Sequence, residues 1–191
     1  MPRAARHFEV VVARLDPPAE EVQSLQASLS PAELKRAGRF GLQRLRRRFV
    51  VARGRLRELL GERLGLPPPD VTLAYCTNGK PELVDRSLYF SVSHCEDVAL
   101  YAFSSASEIG VDVEAIRPIR EADAIAAQFF SPRERLLDFL YCWTRKEALA
   151  KALGGGLSLP LAQLDVVNPR GWRLHTFFPL PGFIAAVACH G

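Results

Sequence analysis

Four cysteines, Cys76, Cys95, Cys142 and Cys189, are too few and too scattered to make a disulfide scaffold of a 191-residue chain. None sits in a C-x-x-C or a Cys/His cluster with metal spacing, so reduced thiols are expected. No apolar run approaches the ~18 residues that a spanning helix needs. The basic opening Met1-Pro2-Arg3-Ala4-Ala5-Arg6-His7 leads into no apolar signal core. These absences predict a soluble, cytoplasmic protein without a membrane partner. Acids are missing from Arg39 to Arg57, where eight arginines stand (39, 44, 46, 47, 48, 53, 55 and 57). Such a patch suits a phosphate-bearing partner or an acidic protein surface. No nucleic-acid-binding motif accompanies it, and no nucleic-acid partner is expected.

What is present is ordinary for a globular protein: 48% apolar and 24% charged residues, with a net charge of +4. The length suits one domain or two small ones sharing a core. Phe8 to Leu15 reads as a strand ended by Asp16-Pro17-Pro18. Ser30-Pro31-Ala32-Glu33 carries a helix-start pattern, and a helix is expected to Ala37. A longer helix is expected over 42–64, with Leu45, Phe49, Leu56, Leu59, Leu60 and Leu64 inward. Strands are expected over 71–75, 88–92, 98–103 and 109–114, with turns at Asn78-Gly79-Lys80-Pro81 and Cys95-Glu96-Asp97. The stretch 118–130 becomes a helix. Ser131-Pro132-Arg133-Glu134 repeats the helix-start pattern and leads into a long helix through Leu153. Late strands are expected over 164–167, 172–177 and 183–189.

A shift of 93 residues lays Leu56 on Leu149, Leu60 on Leu153 and Gly61 on Gly154. The expected fold is therefore α+β, in two similar halves about a pseudo-twofold: 1–105, and 106–191 carrying the site.

Three segments carry candidate chemistry. In Ile109-Gly110-Val111-Asp112-Val113-Glu114 the strand period of two sends Gly110, Asp112 and Glu114 to one face. The carboxylates then lie roughly 7 Å apart along the backbone. They repel unless a cation sits between them. Two readings stand: a solvated sheet face, or a hard-cation site of the kind Mg²⁺ prefers. On the helix Trp143 to Leu153, Glu147 and Lys151 share a face at i,i+4, either as a surface pair or as part of that site. The glycines 154–156 follow the helix instead of starting one, and no Gly-Lys-Ser/Thr is present, so they are not a phosphate loop.

Taken in order, five blocks resemble a known family. They are Gly79-Lys80-Pro81; Phe90-Ser91-Val92-Ser93-His94; Ile109 to Glu114; Phe129-Phe130-Ser131-Pro132-Arg133-Glu134; and Trp143-Thr144-Arg145-Lys146-Glu147-Ala148 with Lys151, Gly154, Gly156 and Leu157. Together they are similar to the 4′-phosphopantetheinyl transferases of the Sfp type, over about residues 40 to 165. Two departures are visible. Ser91 stands where the family usually has Asn, and the segment from Glu134 to Trp143 is shorter than in many members.

The resemblance implies Mg²⁺-dependent transfer of the phosphopantetheine arm of coenzyme A to a serine of an acyl or peptidyl carrier protein, releasing 3′,5′-ADP. Mn²⁺ is the alternative metal. It further implies Asp112, Glu114 and Glu147 as metal ligands, with Glu147 and Lys151 catalytic. Coenzyme A would be held by Arg48, Arg53, Gly79, Lys80, Pro81, Ser93, His94, Lys146 and Lys151, with His94 and Arg48 on its 3′-phosphate. Glu134 matches a family acid near the metal. An internally duplicated chain is expected to act as a monomer. Two rivals use part of the pattern. A phosphate-binding module uses the arginines but leaves the three acids idle, and a Mg²⁺-dependent pyrophosphate hydrolase uses the acids but not the carrier.

Overall fold

The computed structural model describes residues 8–76, 79–155 and 159–190. The opening stretch 1–7, Asn78 of the expected turn, and Gly156 and Leu157 of the last motif lie outside the described residues. The elements run β1 (Phe8–Arg14), α1 (Ala19–Ala27), α2 (Pro31–Ala37), α3 (Gln43–Leu64), β2 (Leu73–Tyr75), β3 (Pro81–Leu83), β4 (Tyr89–Cys95), β5 (Val98–Ser104), β6 (Ile109–Ala115), α4 (Ala122–Phe129), α5 (Phe139–Ala152), β7 (Trp172–Phe177) and β8 (Phe183–His190). The architecture is α+β. Strands order as β1-β5-β4, β2-β3 and β6-β8-β7. Pairing of β2 with β3, and of β8 with both β6 and β7, is antiparallel. By contacts the chain forms two compact units: residues 1–12, 73–96 and 100–191, and residues 13–72 with 97–99.

The smaller unit holds α1, α2 and α3. At α2 the sequence pattern acts as a full capping box: the Glu33 N–H donates to Ser30 Oγ at 3.3 Å, and the Ser30 N–H to Glu33 Oε2 at 2.9 Å. Glu33 is buried, and the Arg57 Nε–H donates to its Oε2 at 2.7 Å. Burial pushes the Glu33 carboxyl up, but hydrogen bonds from Arg57 and the Ser30 backbone outweigh it and hold the group below its ordinary range. The inward face of α3 differs from expectation. Val50, Val51, Gly54, Leu56, Arg57, Leu60 and Gly61 are buried, whereas Leu45 is 42% exposed. The cause is α1, which the sequence pattern missed because its only fully buried side chain is Leu25. A Cβ on Gly54 would stand 2.7 Å from the Leu25 Cβ, so that glycine lets the two helices close.

Every residue of β5 is buried. So are Phe183 to Cys189 of β8. Helix α5 packs Ala148, Leu149 and Ala152 against Val166, Ala186 and Ala188. Ala188 is the cross-strand partner of Gly110, and Ala186 that of Asp112. This patch of small residues lets the helix come close to the strand. A Cβ on Gly110 would lie 1.9 Å from the Ala148 carbonyl oxygen and 2.5 Å from the Ala152 nitrogen. The face carrying Asp112 and Glu114 is therefore covered by a helix, which rules out the solvated-face reading.

Two expected elements are different. The Ser131/Glu134 pattern caps only a 3-10 turn over Glu134–Leu136, and α5 starts afresh at the N-cap Asp138, which accepts from the Tyr141 N–H at 2.9 Å. No strand forms over 164–167, because side chains take that backbone: Glu134 accepts the Val166 N–H at 3.0 Å, and Arg145 donates to the Val166 carbonyl at 2.7 Å.

Gly110→Ala should lower unfolding stability by about 3 kcal/mol, the upper range for overpacking. Urea denaturation measures it, and an unchanged midpoint would show that α5 and β6 do not meet so closely.

Candidate active site

Asp112 lies in the middle of β6 and is 4% exposed. The Ser93 hydroxyl on β4 donates to its Oδ1 at 2.8 Å, and the Lys151 ammonium on α5 donates to the same oxygen at 2.7 Å. Lys151 also donates to Ser93 Oγ at 2.9 Å, closing a three-membered cluster. The Lys80 ammonium donates to the Lys151 carbonyl at 2.8 Å and stands 3.6 Å from Glu108. A cation at a helix C-terminus is favourably placed against the helix dipole. Lys80 follows Gly79, whose φ of +79° closes the turn, and Pro81 opens β3.

Glu114 comes from the same strand face as Asp112, and Glu147 from the turn of α5 before Lys151. Desolvation, followed by the charge of Asp112, pushes the Glu114 carboxyl up, while hydrogen bonds from Cys95 and Trp143 oppose the shift. The Cys95 Sγ–H···Oε2 contact is 3.4 Å. Burial pushes that thiol up to about 11, so it remains a proton-bearing donor. Glu147 is pushed up by desolvation, then by Asp112, with Lys151 opposing and Glu114 adding to it. The three acids thus feel one another's charge. His94 keeps an exposed edge. Partial desolvation and then the Lys151 ammonium hold its imidazole below the ordinary value, so it is neutral at pH 7.

Among the described residues, no three His, Cys, Asp or Glu side chains are gathered as a ready metal shell. Two oxygens nevertheless lack any hydrogen-bond partner although buried: Asp112 Oδ2 and Glu147 Oε1. A buried carboxylate oxygen without a donor is costly, and a hard cation satisfies it. The donor set is all oxygen, which fits Mg²⁺ or Mn²⁺ and not a soft metal.

Comparison with known proteins agrees with the motif order. The family model for the 4′-phosphopantetheinyl transferase superfamily matches residues 108–187. The chain is 37% identical over 201 aligned positions to the 4′-phosphopantetheinyl transferase HetI of Nostoc sp., covering 93% of this chain and 85% of that protein. It is 31% identical over 168 positions to the transferase ffp of Bacillus subtilis, and 29% over 168 to Sfp of the same species, each covering 82% of this chain and 71% of the relative. The chain belongs to the 4′-phosphopantetheinyl transferase superfamily.

In this phosphopantetheinyl transferase, Lys80, Ser93, Asp112 and Lys151 are joined by direct hydrogen bonds, and Glu114, Glu147 and His94 lie within their electrostatic reach. Lys146 is not brought to them, contrary to the expectation that it meets phosphate. It is fully buried, donates to the Leu161 carbonyl at 2.8 Å and to that of Leu164, and pairs with Glu134 at 3.0 Å. Residues 146 and 147 point about 100° apart on a helix, so they cannot both face the strand. Glu134 is likewise spent on that internal pair. Arg48 and Arg53 belong to the smaller unit, where Arg48 grips both oxygens of Asp16 and Arg53 stands 3.6 Å from Glu33. The sequence reading missed Cys95 and Trp143 as donors to Glu114. The spacing of Ser91, Ser93 and Cys95 on one face of β4 was the available signal.

The raised Glu114 and Glu147 values set a pH dependence. Each carboxyl holds its proton more tightly folded than unfolded. Without metal, stability therefore falls as pH rises above the ordinary 4.5 through the raised folded values. Glu147→Gln in EDTA should raise the melting temperature at pH 7.5 and flatten this dependence. A lower melting temperature would contradict the charge crowding.

Proposed function

We propose that the protein transfers the 4′-phosphopantetheine arm of coenzyme A to a serine hydroxyl of an acyl or peptidyl carrier protein, releasing 3′,5′-ADP. Membership of the superfamily supports the reaction. The observation that carries its chemistry is the crowding of Asp112, Glu114 and Glu147 beside Lys151, with two buried carboxylate oxygens unpartnered.

Asp112, Glu114 and Glu147 would hold Mg²⁺, with Mn²⁺ as substitute. When bound, the ion neutralises pyrophosphate charge and stabilises the leaving phosphate. The chain's own groups do the rest. Lys151, one-quarter exposed, offers its ammonium to the phosphates from the same side. Glu147 would accept the proton of the incoming serine at a carboxylate oxygen. The serine oxygen then bonds to phosphorus as the bond to the 3′,5′-ADP oxygen breaks.

His94 is assigned to the 3′-phosphate, where a neutral imidazole still donates one N–H. Arg48 carries the same assignment by resemblance alone, since its planar fork suits phosphate. Lys80, in the turn between Gly79 and Pro81, is assigned to the adenine and its phosphate. Ser93 and Arg53 complete the coenzyme A contacts that the resemblance implies. Among the described residues no helix is long and apolar enough to cross a membrane.

Incubation with coenzyme A, Mg²⁺ and an apo carrier protein, read by intact mass, tests the reaction. A phosphopantetheine arm on the carrier supports transfer. Cleavage of coenzyme A without carrier supports the hydrolase, and neither outcome leaves a binding module. Asp112→Asn and Glu147→Gln should each lower turnover by ~10²–10⁴; normal turnover in either removes it from the metal set. His94→Ala should raise the KM for coenzyme A but leave that for its 3′-dephospho analogue unchanged, and an equal rise for both would contradict the 3′-phosphate role.

A further inference from the structure

The face of β4 that carries Ser91, Ser93 and Cys95 contributes one small polar side chain every second residue. Each reaches β6. Ser91 Oγ accepts the Val111 N–H at 3.1 Å, Ser93 donates to Asp112 Oδ1 at 2.8 Å, and Cys95 donates to Glu114 Oε2 at 3.4 Å. Strands β4 and β6 belong to different sheets, and these side-chain bonds join the two. Ser91 and Ser93 are 3% and 6% exposed, which keeps water from competing for their hydroxyls.

We propose that Ser93 and Cys95 are positioning residues, fixing the rotation of Asp112 and Glu114 so that Asp112 Oδ2 and the Glu114 carboxylate face one divalent ion. The inference rests on the ion site proposed above. Its geometric core is the division of labour within Asp112. Oδ1 accepts from Ser93 and Lys151, and Oδ2 is buried without a partner. With one oxygen clamped by two donors from different elements, the other has a fixed direction. Glu114 likewise accepts from donors on two elements, Cys95 on β4 and Trp143 on α5. Outer donors of this kind set ligand orientation and typically govern metal affinity ~10–100-fold.

The test is Mn²⁺ binding by electron paramagnetic resonance on the full chain with saturating coenzyme A, alongside steady-state kinetics. Ser93→Ala and Cys95→Ala should each raise the half-saturating Mn²⁺ concentration ~10-fold, and Cys95→Ala should do so with the KM for coenzyme A unchanged. Cys95→Ser, which keeps a donor, should recover most of the loss. Wild-type Mn²⁺ affinity in both alanine variants overturns the inference. Unaltered Mn²⁺ affinity in Ser93→Ala overturns the positioning role of Ser93 and leaves it the coenzyme A contact alone. Cys95 is only partly buried, so its variants report even where Ser93→Ala folds poorly. Absence of Mn²⁺ binding in the wild type defeats the ion site itself, and this inference with it.

Discussion

The structure depends on how closely α5 lies on β6. Gly110 faces the Ala148 carbonyl with no room for even a methyl group, and Ala186 and Ala188 continue the same shallow floor. Close packing of small residues brings the helix backbone down onto the strand. Glu147 and Lys151 then stand beside Asp112 and Glu114. Larger residues at these positions would widen the gap, and the carboxylates would regain water. The same contact that builds the core thus confines three acids in a poorly hydrated space, where desolvation and the neighbouring charges favour protonation of Glu114 and Glu147. Acids confined in this way cost stability, the usual relation between function and strain at active centres.

The opposite side of α5 explains how the helix is held there. Arg145 donates to the Val166 and Leu174 carbonyls and to the Thr176 hydroxyl, and Lys146 meets the Leu161 and Leu164 carbonyls and the Glu134 carboxylate. These two buried cations fasten the irregular segment before β7 beneath the helix. Breaking such a buried pair by removing one partner is expensive, because the other charge is left uncompensated. Three successive residues, Arg145, Lys146 and Glu147, therefore divide between scaffold and site by the helical turn alone.

Much of this was legible in the chain. The period-two alternation through Ile109 to Glu114 put the two acids on one face, and the i,i+4 spacing put Glu147 and Lys151 on another. Ser30-Pro31-Ala32-Glu33 read directly as a cap, because capping is local. What escaped was set by distant partners. The α1 helix buries fully only Leu25, too little to leave a periodic stripe. The segment 164–167 looks like a strand because of Val166 and Val167, yet its hydrogen bonds go to side chains of Glu134 and Arg145. Lys146 carries the same charge and motif whether it faces a ligand or a buried glutamate, and only packing decides between them. The polar stripe of β4 was visible as spacing, but its partners on β6 could not be read from spacing.

The central claim is that Asp112, Glu114 and Glu147 grip one divalent ion. Crystals grown with coenzyme A and Mn²⁺ and measured at the manganese absorption edge test it most directly. The account predicts a single strong anomalous peak within coordinating reach of all three carboxylates. A peak elsewhere, or one that Asp112 and Glu147 do not share, would contradict it.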